Sequence, residues 1–547
     1  MPSLYPHEVR KIARGAGAAS GFAGFFFPSL RARGLGEEKP VPCYSAIVYK
    51  EGDEVRAEDW KGRKIASGVA GVDDASVIQS ALNVGKRVFV SNGFYNLTQD
   101  LIINSYMFLE EGTEITFRNL IFESNTGIIS KNAKLIAGGE AGETIGIRPA
   151  PFLNRIGNSD PEGGNENITL EGLEIDGRGD VTDYRQLLSF DNVSNLKIRN
   201  CHLHDGHSNL IALFGCENVI VENSIIENVH HSGQDIMHIA GCSNVELIGN
   251  LCNFSGSEIG IDISGGGTGS SEDIKILNNH LTGSANLAVL HFEISVDGRY
   301  LRAKVIGNHI EGGNLLEQAS ASGITPSTCR IEVIGNHFIT TAEPYIALRK
   351  GLPGKHLCIG NEFYSTASAY ARRFFDYPTN YVFVGNYIHD IDQEYNGETI
   401  KVQYSKFIGN HVSNIRKNIV FTECYIIGNY FESLNGGVTI NGLVFEHNSL
   451  DIATSLTKSN MLRNSGTNTF SGDGTTTDFL IGAHGLAITD PSKIVVKITP
   501  VSQDAIDASP CIGYVDTGDN SKIRVKFDSA PASGSDNVKI TWEAIVI

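Results

Sequence analysis

Histidine and aspartate share one position in consecutive segments of the chain between residues 185 and 295. The segments "LLSFDNV", "IALFGCENV", "IMHIAGCSNV" and "GIDISGG" align with one another, which places Ser189, Ala212, His238 and Asp262 in one column. His291 continues the column, because Phe292, the residue after it, precedes Asn308 by 16 residues, just as Ile263, the residue after Asp262, precedes Asn279 by 16. Neighbouring strands of a sheet lie about 4.8 Å apart. We therefore expect His238, Asp262 and His291 to form a ladder on one outward face.

Such a ladder contains the residue types of an acid–base centre. A carboxylate between two imidazoles orients one of them and raises its basicity, as general acid–base catalysis requires. The same side chains are also of the types that hold a divalent metal ion, and no other cofactor is expected. Two other interpretations stay open: a surface that contacts carbohydrate, and a solvated polar face on which stacked side chains satisfy one another.

Two loops, 264–273 and 293–304, are expected to border this column. The second loop brings Glu293, Arg299 and Arg302 to the border, and Asp235 begins the segment that carries His238. We assign catalysis to the column and substrate binding to its border. The catalytic candidates are His238, Asp262 and His291, and the substrate-binding candidates are Asp235, Glu293, Arg299 and Arg302.

A short repeat predicts the scaffold that holds these residues. The hexapeptide "VIGNHI" at 305–310 returns as "VIGNHF" at 333–338. Asparagine recurs among aliphatic residues at 200, 223, 250, 279, 308, 336, 361, 386, 410, 429 and 448. A fixed motif at 19 to 29 residues indicates a stacked solenoid. We expect each asparagine to lie at a left-handed corner between two strands, with the neighbouring aliphatic residues pointing inward. The asparagine amides of successive turns of the solenoid, which we call coils, should hydrogen-bond with one another.

The spacing of the repeat also predicts the shape of the shaft. From Asn250 the intervals are 29, 29, 28, 25, 25, 24, 19 and 19 residues. The solenoid should therefore taper towards its C-terminal end and carry its longest loops around residues 200 to 330. Long loops on a rigid scaffold are where binding and catalysis usually occur.

A second outward column follows the asparagines. It contains His280, His309, His337, Glu362, Tyr387, His411 and Tyr430. The simplest interpretation is stacking of polar and aromatic side chains across strands. The alternatives are a strip of rings for sugar faces and a seam between subunits of a trimer.

Composition excludes some partners. The net charge is −18, from 44 basic and 62 acidic residues, without a basic stripe, which argues against a nucleic-acid partner. Nine scattered cysteines without a CxxC pair fit neither a disulfide framework nor a zinc module. Cys216 and Cys242 stand in parallel contexts, and we expect them to be stacked, buried free thiols.

The first 40 residues differ from the rest. Arg10, Lys11 and Arg14 precede "GAGAASGFAGFFF", an apolar run of 13 residues that is too short for a bilayer span of about 20. We interpret residues 1–40 as an attachment segment, with an export signal and a membrane span as the alternatives.

The elements on either side of the solenoid are also predicted. Residues 41–70 read as a β-hairpin unit with turns at "EGDE" and "WKGR". A capping helix is expected at 74–84, with Asp73 or Asp74 as N-cap and Gly85 as its stop. After residue 466, alternating strands with Gly, Ser and Asp turns predict a sandwich or jelly roll over 466–547.

The helix "VDDASVIQSALNVG" and the strands "KRVFVSNGFYNLTQD" directly after it resemble the entry to right-handed parallel β-helices of the pectate-lyase-like superfamily. That superfamily includes phage and archaeal-virus tailspikes. The last strands resemble terminal domains of tail fibres. The resemblance implies an all-β fold: a right-handed parallel β-helix over 71–465 with a capping helix and a C-terminal β-sandwich.

The resemblance also implies a function. We predict a virion spike or fibre, on the virion surface or extracellular, that recognises a host-surface polysaccharide. A homotrimer and contacts to other virion proteins through the N-terminus are implied too. Glycan-degrading activity stays open, with a polysaccharide lyase, epimerase or glycoside hydrolase as the first alternative. The second alternative is a structural protein of the cell envelope.

Overall fold

The structure is a computed structural model of the 547-residue chain. The residues it describes are 44–138, 155–158, 164–178, 186–230, 235–255, 257, 259–266, 269–283, 288–312, 315–320, 327–340, 346–349, 352–365, 373–376, 380–388, 400–413, 419–432, 438–441, 444–446, 448–450, 456–459 and 461–547. The predicted attachment segment lies outside these residues.

The chain enters the solenoid through a hairpin and a helix. Strands Ala46–Glu51, Glu54–Asp59 and Lys64–Val69 pair antiparallel, and their turns lie at the two predicted places. Helix Asp74–Val84 follows and buries Ala75, Ile78, Ala81 and Leu82, as its apolar stripe predicts. Asp74 lies inside the helix and accepts a hydrogen bond from Lys50 at 3.0 Å, so its carboxylate ties the helix to the hairpin.

Parallel strands form three faces of a solenoid. The first and second faces begin with Arg87–Val90, Phe94–Asn96, Tyr106–Leu109 and Glu114–Phe117, and two long strands, Thr126–Ala137 and Glu166–Asp176, then run across both faces. The first face continues with Ser194–Arg199, Glu217–Glu222, Ser243–Ile248, Ser271–Leu277, Leu301–Ile306, Arg330–Ile334, His356–Ile359, Tyr381–Val384, Lys406–Ile408, Tyr425–Ile427 and Val444–Glu446. These strands shorten towards the C-terminal end, in agreement with the predicted taper.

The second face lies around a corner from the first. Its later strands are His202–Gly206, Ile225–Val229, Leu251–Asn253, His280–Gly283, His309–Gly312, His337–Thr340, Glu362–Ser365, Tyr387–Ile388, His411–Ser413, Tyr430–Glu432 and Ser449–Leu450. The parallel pairing throughout confirms the predicted solenoid.

The third face carries the His–Asp column. Its strands are Leu101–Ile103, Asn119–Phe122, Arg155–Asn158, Gln186–Asp191, Asn209–Phe214, Asp235–Ala240, Ile259–Gly265, Ala288–Ile294, Leu316–Ser320, Ile346–Arg349 and Arg373–Asp376. A separate parallel sheet of four strands follows: Ile400–Gln403, Ile419–Thr422, Val438–Asn441 and Leu456–Ser459.

The corner between the first and second faces differs in detail from the prediction. In "VIGNHI" the left-handed residue is Gly307, with φ of 67°, and Asn308 points into the core. Val305 and Ile310 are fully buried, whereas Ile306, two residues before the asparagine, is only half-buried. The expectation that the asparagine makes the left-handed turn and that the aliphatic residue two before it points inward is therefore wrong here, because glycine adopts positive φ without strain.

The predicted amide ladder is present inside this corner. Asn308 donates from Nδ2 to Asn336 Oδ1 at 2.9 Å, and the same oxygen accepts the backbone N–H of Asn308 at 2.9 Å. The ladder runs through Asn250, Asn279, Asn308, Asn336, Asn361, Asn386, Asn410, Asn429 and Asn448. Each amide from Asn250 to Asn429 donates both to the next asparagine and to a backbone carbonyl, which offsets the cost of burying a polar group.

Asn200 and Asn223 do not belong to this ladder. Both have positive φ, 54° and 51°, and occupy the corner position that glycine fills in later coils. Ser224, the residue after Asn223, takes the inner position. Its backbone N–H donates to Asn250 Oδ1 of the next coil at 3.0 Å, whereas its hydroxyl donates to Glu222 O at 2.9 Å. The repeat is therefore shifted by one residue in these two coils.

The second predicted column, of rings, lies on the second face. His280, His309 and His337 are register partners, with ring centroids 4.6 and 5.1 Å apart. Farther along, His411 lies between Tyr387 and Tyr430 at 4.7 and 4.8 Å. These spacings follow from the distance between strands.

The C-terminal part forms two antiparallel layers. Arg463–Gly472, Gly534–Val546 and Ile494–Pro500 make one layer, and Asp478–Ala483, Lys522–Phe527 and Cys511–Val515 make the other, with helix Gln503–Asp507 beside them. Strand Arg463–Gly472 also pairs with Val444–Glu446 of the last coil, so the expected boundary at 466 falls inside a strand.

Two further expectations can be compared with the described residues. Cys216 and Cys242 are free and buried, as predicted. Among the helices that the structure describes, none has the length and apolar character to cross a bilayer.

The amide ladder leads to a prediction about stability. Replacing Asn336 by Ala leaves Val305 O and Asn308 N without their partners, which lie at 2.8 and 2.9 Å in the intact ladder. We expect Asn336→Ala to lower the free energy of unfolding by at least about 2 kcal/mol, measured by denaturant unfolding.

The matched control is Asn244→Gly. Asn244 is exposed, has φ of 51°, and donates to Asn218 Oδ1 at 2.7 Å on an outer ladder. Glycine keeps the left-handed backbone, so the change should stay within about 0.5 kcal/mol. Equal losses in the two variants would show that burial of the inner ladder contributes nothing special.

Candidate functional site

The register of the third face places the predicted column residues side by side. Ala212 pairs with His238, His238 with Asp262, and Asp262 with His291. The inward neighbours of these residues, such as Ile239, Ile263 and Phe292, are fully buried. The alternation of a β-strand therefore turns the His and Asp side chains to the outer side of the sheet.

Asp262 is the centre of this group. Its Oδ1 lies 2.7 Å from Nδ1 of His291, and its Oδ2 lies 3.0 Å from Nδ1 of His238. Nδ1 of His238 is also 3.0 Å from Oδ2 of Asp235. Both imidazoles thus use Nδ1 for a carboxylate, which leaves Nε2 of each ring for other chemistry.

Burial is uneven along the column. Asp262 and His291 are only 3% and 5% exposed, although they lie on the outer side of the sheet. His238 keeps 26% of its side-chain surface, and its ring centroid is 5.5 Å from that of Phe214. His238 is therefore the imidazole that a ligand meets first.

The pKa values of the two histidines and of Asp262 shift in opposite directions. Burial by itself lowers the pKa of His238, but the hydrogen bonds to Asp235 and Asp262 outweigh burial and raise the pKa to about 10. The pKa of His291 is raised against the effect of burial by its hydrogen bond to Asp262. Burial raises the pKa of Asp262, but the two imidazoles lower it by more, so the pKa of this carboxyl group lies below its ordinary value. Asp262 is thus an anion beside the cationic ring of His238 at neutral pH, and its charge favours protonation of His291.

Two other carboxyl groups shift in the opposite direction. Burial raises the pKa of Asp235, although its hydrogen bond to His238 opposes the shift. Burial also raises the pKa of Glu293, and the negative charge of Asp262 adds to this effect. Glu293 lies in a parallel column that pairs it with Ser264, and one of its oxygens is within 4.8 Å of the ligand atoms of Asp262 and His291.

The two arginines are placed differently. Arg302 lies on the first face, where it pairs with Glu272 at 2.6 Å and stacks on the ring of Tyr300. Arg299 lies beside the end of the strand that carries Asp262, with its Cβ 3.5 Å from the place that a Cβ on Gly265 would take. Within the part of the chain that the structure describes, no hydrogen bond or ion pair joins either arginine to the column, and their substrate-binding role stays a prediction.

Sequence analysis missed two members of the site. Glu317 is the register partner of His291 and is buried. The repeat spacing does not reveal it, because the interval between the column and the next ladder asparagine changes here. The residue after Glu317 precedes Asn336 by 18 residues, whereas the residue after the column member precedes the next asparagine by 16 in the two earlier coils. Phe214 was visible in "IALFGCENV" but had no polar signal to mark it.

Binding of a metal ion at this column would compete with protonation of His238. The ligand atoms of Asp235, His238 and Asp262 do lie within 4.8 Å of one another, as metal ligands must. However, the ring nitrogens must be unprotonated to bind a metal, and the raised pKa of His238 opposes that at neutral pH.

A second His–Asp cluster lies on the second face. Nδ1 of His204 is 2.7 Å from Asp205, and Nε2 of His230 is 3.4 Å from the same carboxylate. Lys134 pairs with Asp176 at 3.0 Å and with Glu174 at 3.1 Å. The charges of this cluster are therefore paired among its own residues.

Comparison with known proteins identifies the fold. A family model described as the right-handed β-helix region matches residues 186–351, which include the column. The chain is a right-handed parallel β-helix protein. A mutant tailspike protein of E. coli bacteriophage HK620 matches at 12% identity and a TM-score of 0.50, and the match covers 89% of this chain and 92% of that chain. A mutant of the same tailspike in complex with a hexasaccharide matches at 12% identity and a TM-score of 0.50, over 88% of this chain and 91% of that chain.

Other comparisons add less. PfbA, a surface adhesin of Streptococcus pneumoniae, matches over 67% of this chain and 90% of its own chain at 16% identity, with a TM-score of 0.41. No curated protein matches the sequence. The tailspike match shows the fold, and the function must be argued from the site itself.

The raised pKa of His238 predicts how stability depends on pH. Its folded-state pKa of about 10 lies above the ordinary value of about 6.5, so its protonation stabilises the fold below pH about 6.5 and this stabilisation is lost as the pH rises towards about 10. We expect the unfolding midpoint of the wild type to fall more steeply between pH 7 and 10 than that of His238→Gln.

His280→Gln is the control for this measurement, because burial lowers the pKa of His280. This variant should keep the steep alkaline slope of the wild type. A histidine NMR titration supplies a direct reading: the His238 ring should remain an imidazolium at pH 8. A midpoint near 6.5 for that ring would contradict the prediction.

Proposed function

We propose that this β-helix is a surface spike or fibre that binds a host-surface polysaccharide on its third face. The observation that carries the proposal is the outward column of Asp235, His238, Asp262 and His291, in which hydrogen-bonding groups of both charges lie on one rigid sheet. Sugars offer hydroxyl groups that both donate and accept. Imidazolium donors beside carboxylate acceptors match them.

The border of the column supports a sugar ligand. Phe214 places an aromatic ring 5.5 Å from His238, and aromatic rings bind the apolar faces of sugars beside polar contacts. Ser264 and Glu293 add polar groups in the neighbouring column. The fold match to a tailspike in complex with a hexasaccharide agrees with this use of the scaffold.

A second candidate function is cleavage of the bound glycan by acid–base chemistry. Its supporting observation is that the pKa values of two nearby carboxyl groups shift in opposite directions: the pKa of Glu293 is raised and that of Asp262 is lowered. An enzyme that hydrolyses glycosidic bonds needs one protonated and one ionised carboxyl group. In this proposal Glu293 is the acid, and Asp262, held by two imidazoles, stabilises positive charge that develops on the sugar.

The raised pKa of His238 also defines the role of this histidine. An imidazole whose pKa is about 10 is a proton donor at neutral pH and not a general base. We therefore propose that His238 donates hydrogen bonds to the glycan. A lyase or epimerase, which must remove a proton from carbon, would need a different base.

The remaining parts of the proposal concern the assembly. A homotrimer, a virion or extracellular location and docking to other virion proteins through residues 1–40 complete the spike. A structural protein of the cell envelope is the alternative, and it predicts no glycan ligand at the column.

Binding tests the first proposal. The purified protein is titrated with surface polysaccharides from candidate host cells by calorimetry, and the polysaccharide that binds is titrated again into variants. We expect His238→Gln to weaken binding at least tenfold through the lost donor. Glu246→Gln is the matched control, because Glu246 pairs with Lys275 at 3.0 Å on the first face. Unchanged affinity in His238→Gln, or equal losses in both variants, would contradict a third-face site.

Activity tests the second candidate. The binding polysaccharide is incubated with the protein, and reducing ends and unsaturated uronates are measured. Hydrolysis predicts reducing ends without unsaturation. It also predicts that Glu293→Gln lowers the rate at least a hundredfold while binding persists. If a polysaccharide binds but neither product appears, the cleavage proposal fails and the protein is a spike that binds the glycan without cleaving it.

A further inference from the structure

The ring column of the second face contains a pair of histidines with an unusual orientation. Nδ1 of His309 lies 3.2 Å from Nδ1 of His337, across two neighbouring strands. Nε2 of His309 lies 3.6 Å from Oε2 of Glu311, and Nε2 of His337 lies 3.4 Å from Oε2 of Glu362. Each ring thus directs one nitrogen to a carboxylate and the other to its partner ring.

The two carboxylates favour a proton on each Nε2. A neutral imidazole carries only one N–H, so this tautomer leaves both Nδ1 atoms as acceptors. Two lone pairs that face each other at 3.2 Å repel unless a cation lies between them. The arrangement therefore selects for a positive species shared by the two rings.

The distance suits a metal ion. Two nitrogens that bind one tetrahedral Zn²⁺ at about 2.0–2.1 Å are about 3.3 Å apart, and two neighbouring nitrogens of an octahedral ion are about 2.9 Å apart. The observed 3.2 Å lies between these values. Histidines that bind metals commonly direct their other ring nitrogen to a carboxylate, and here Glu362 and Glu311 lie 3.4 and 3.6 Å from the Nε2 atoms.

Access and surroundings agree with this use. The side chains of His309 and His337 are 33% and 36% exposed, so an ion with its waters can reach both rings. His280 stacks on the other side of His309, with ring centroids 4.6 Å apart.

We infer that His309 and His337 form a binding site for a divalent transition-metal ion such as Zn²⁺, Ni²⁺ or Cu²⁺. The two Nδ1 atoms are the protein ligands, and water completes the coordination. Because the ligands belong to adjacent coils, the ion links one coil to the next on the second face. This site is separate from the His238–Asp262 column on the third face, and the inference does not rest on the proposed glycan function.

The test is calorimetry with Zn²⁺ on the full chain, free of any histidine tag and stripped with EDTA. We expect His309→Gln and His337→Gln each to weaken one binding event at least tenfold. His411→Gln is the matched control, because His411 occupies the same column but has tyrosine rings on both sides. It should bind as the wild type does. Zn²⁺ should also raise the unfolding midpoint of the wild type and of His411→Gln, and not that of the other two variants.

A second measurement keeps the result independent of stability. Electron paramagnetic resonance of one equivalent of Cu²⁺ should show nitrogen ligands in the wild type and the loss of one in either variant. Absence of Zn²⁺ binding at millimolar concentration would overturn the inference and leave a shared proton between the rings. Binding that survives in both variants but is lost in His204→Gln would also overturn it, because the ion would then occupy the His204–Asp205 cluster.

Discussion

The ladder of buried asparagines is the constraint on which the shaft depends. Each coil must turn between the first and second faces with its backbone groups inside the molecule, where an unpaired N–H or C=O is costly. The amide of Asn308 meets this demand by bonding Ile276 O of the preceding coil and Asn336 Oδ1 of the following one. One side chain thus connects three coils. Since the corner is fixed in each coil, the strands that leave it are in register as well.

That register decides what can be built on the faces. Side chains at one strand position stack at the spacing between strands, so a column brings together residues that are about 25 positions apart in sequence. On the second face like residues stack, as in His280, His309 and His337. On the third face unlike residues alternate, and Asp262 between His238 and His291 makes a charged network. The same scaffold thus yields ring stacks on one face and an electrostatic site on another.

The charged column is stable because it is internally compensated. Asp262 is almost fully buried, and a lone carboxylate in such a place would become protonated. Two imidazoles hold it ionised, and in turn it raises the pKa of His238 and of His291. Burial raises the pKa of Glu293 and of Asp235, and the negative charge of Asp262 adds to this effect. Neighbouring carboxyl groups whose pKa values shift in opposite directions are a requirement of acid catalysis.

The sequence by itself determined the repeat, the capping helix, the taper and the neighbours in each column, because spacing along a solenoid translates directly into stacking. Helix Asp74–Val84 and the pairing of His238 with Asp262 followed from counting alone. Counting failed at Glu317, because a change in loop length altered the interval to the next asparagine. It also failed at Ser224, because a serine takes the inner position that asparagine has in later coils. Only the tertiary structure decided that Gly307 makes the left-handed corner, that Arg302 turns to Glu272, and that the Nδ1 atoms of His309 and His337 face each other. Those outcomes depend on side-chain direction and burial, which one-dimensional spacing does not contain.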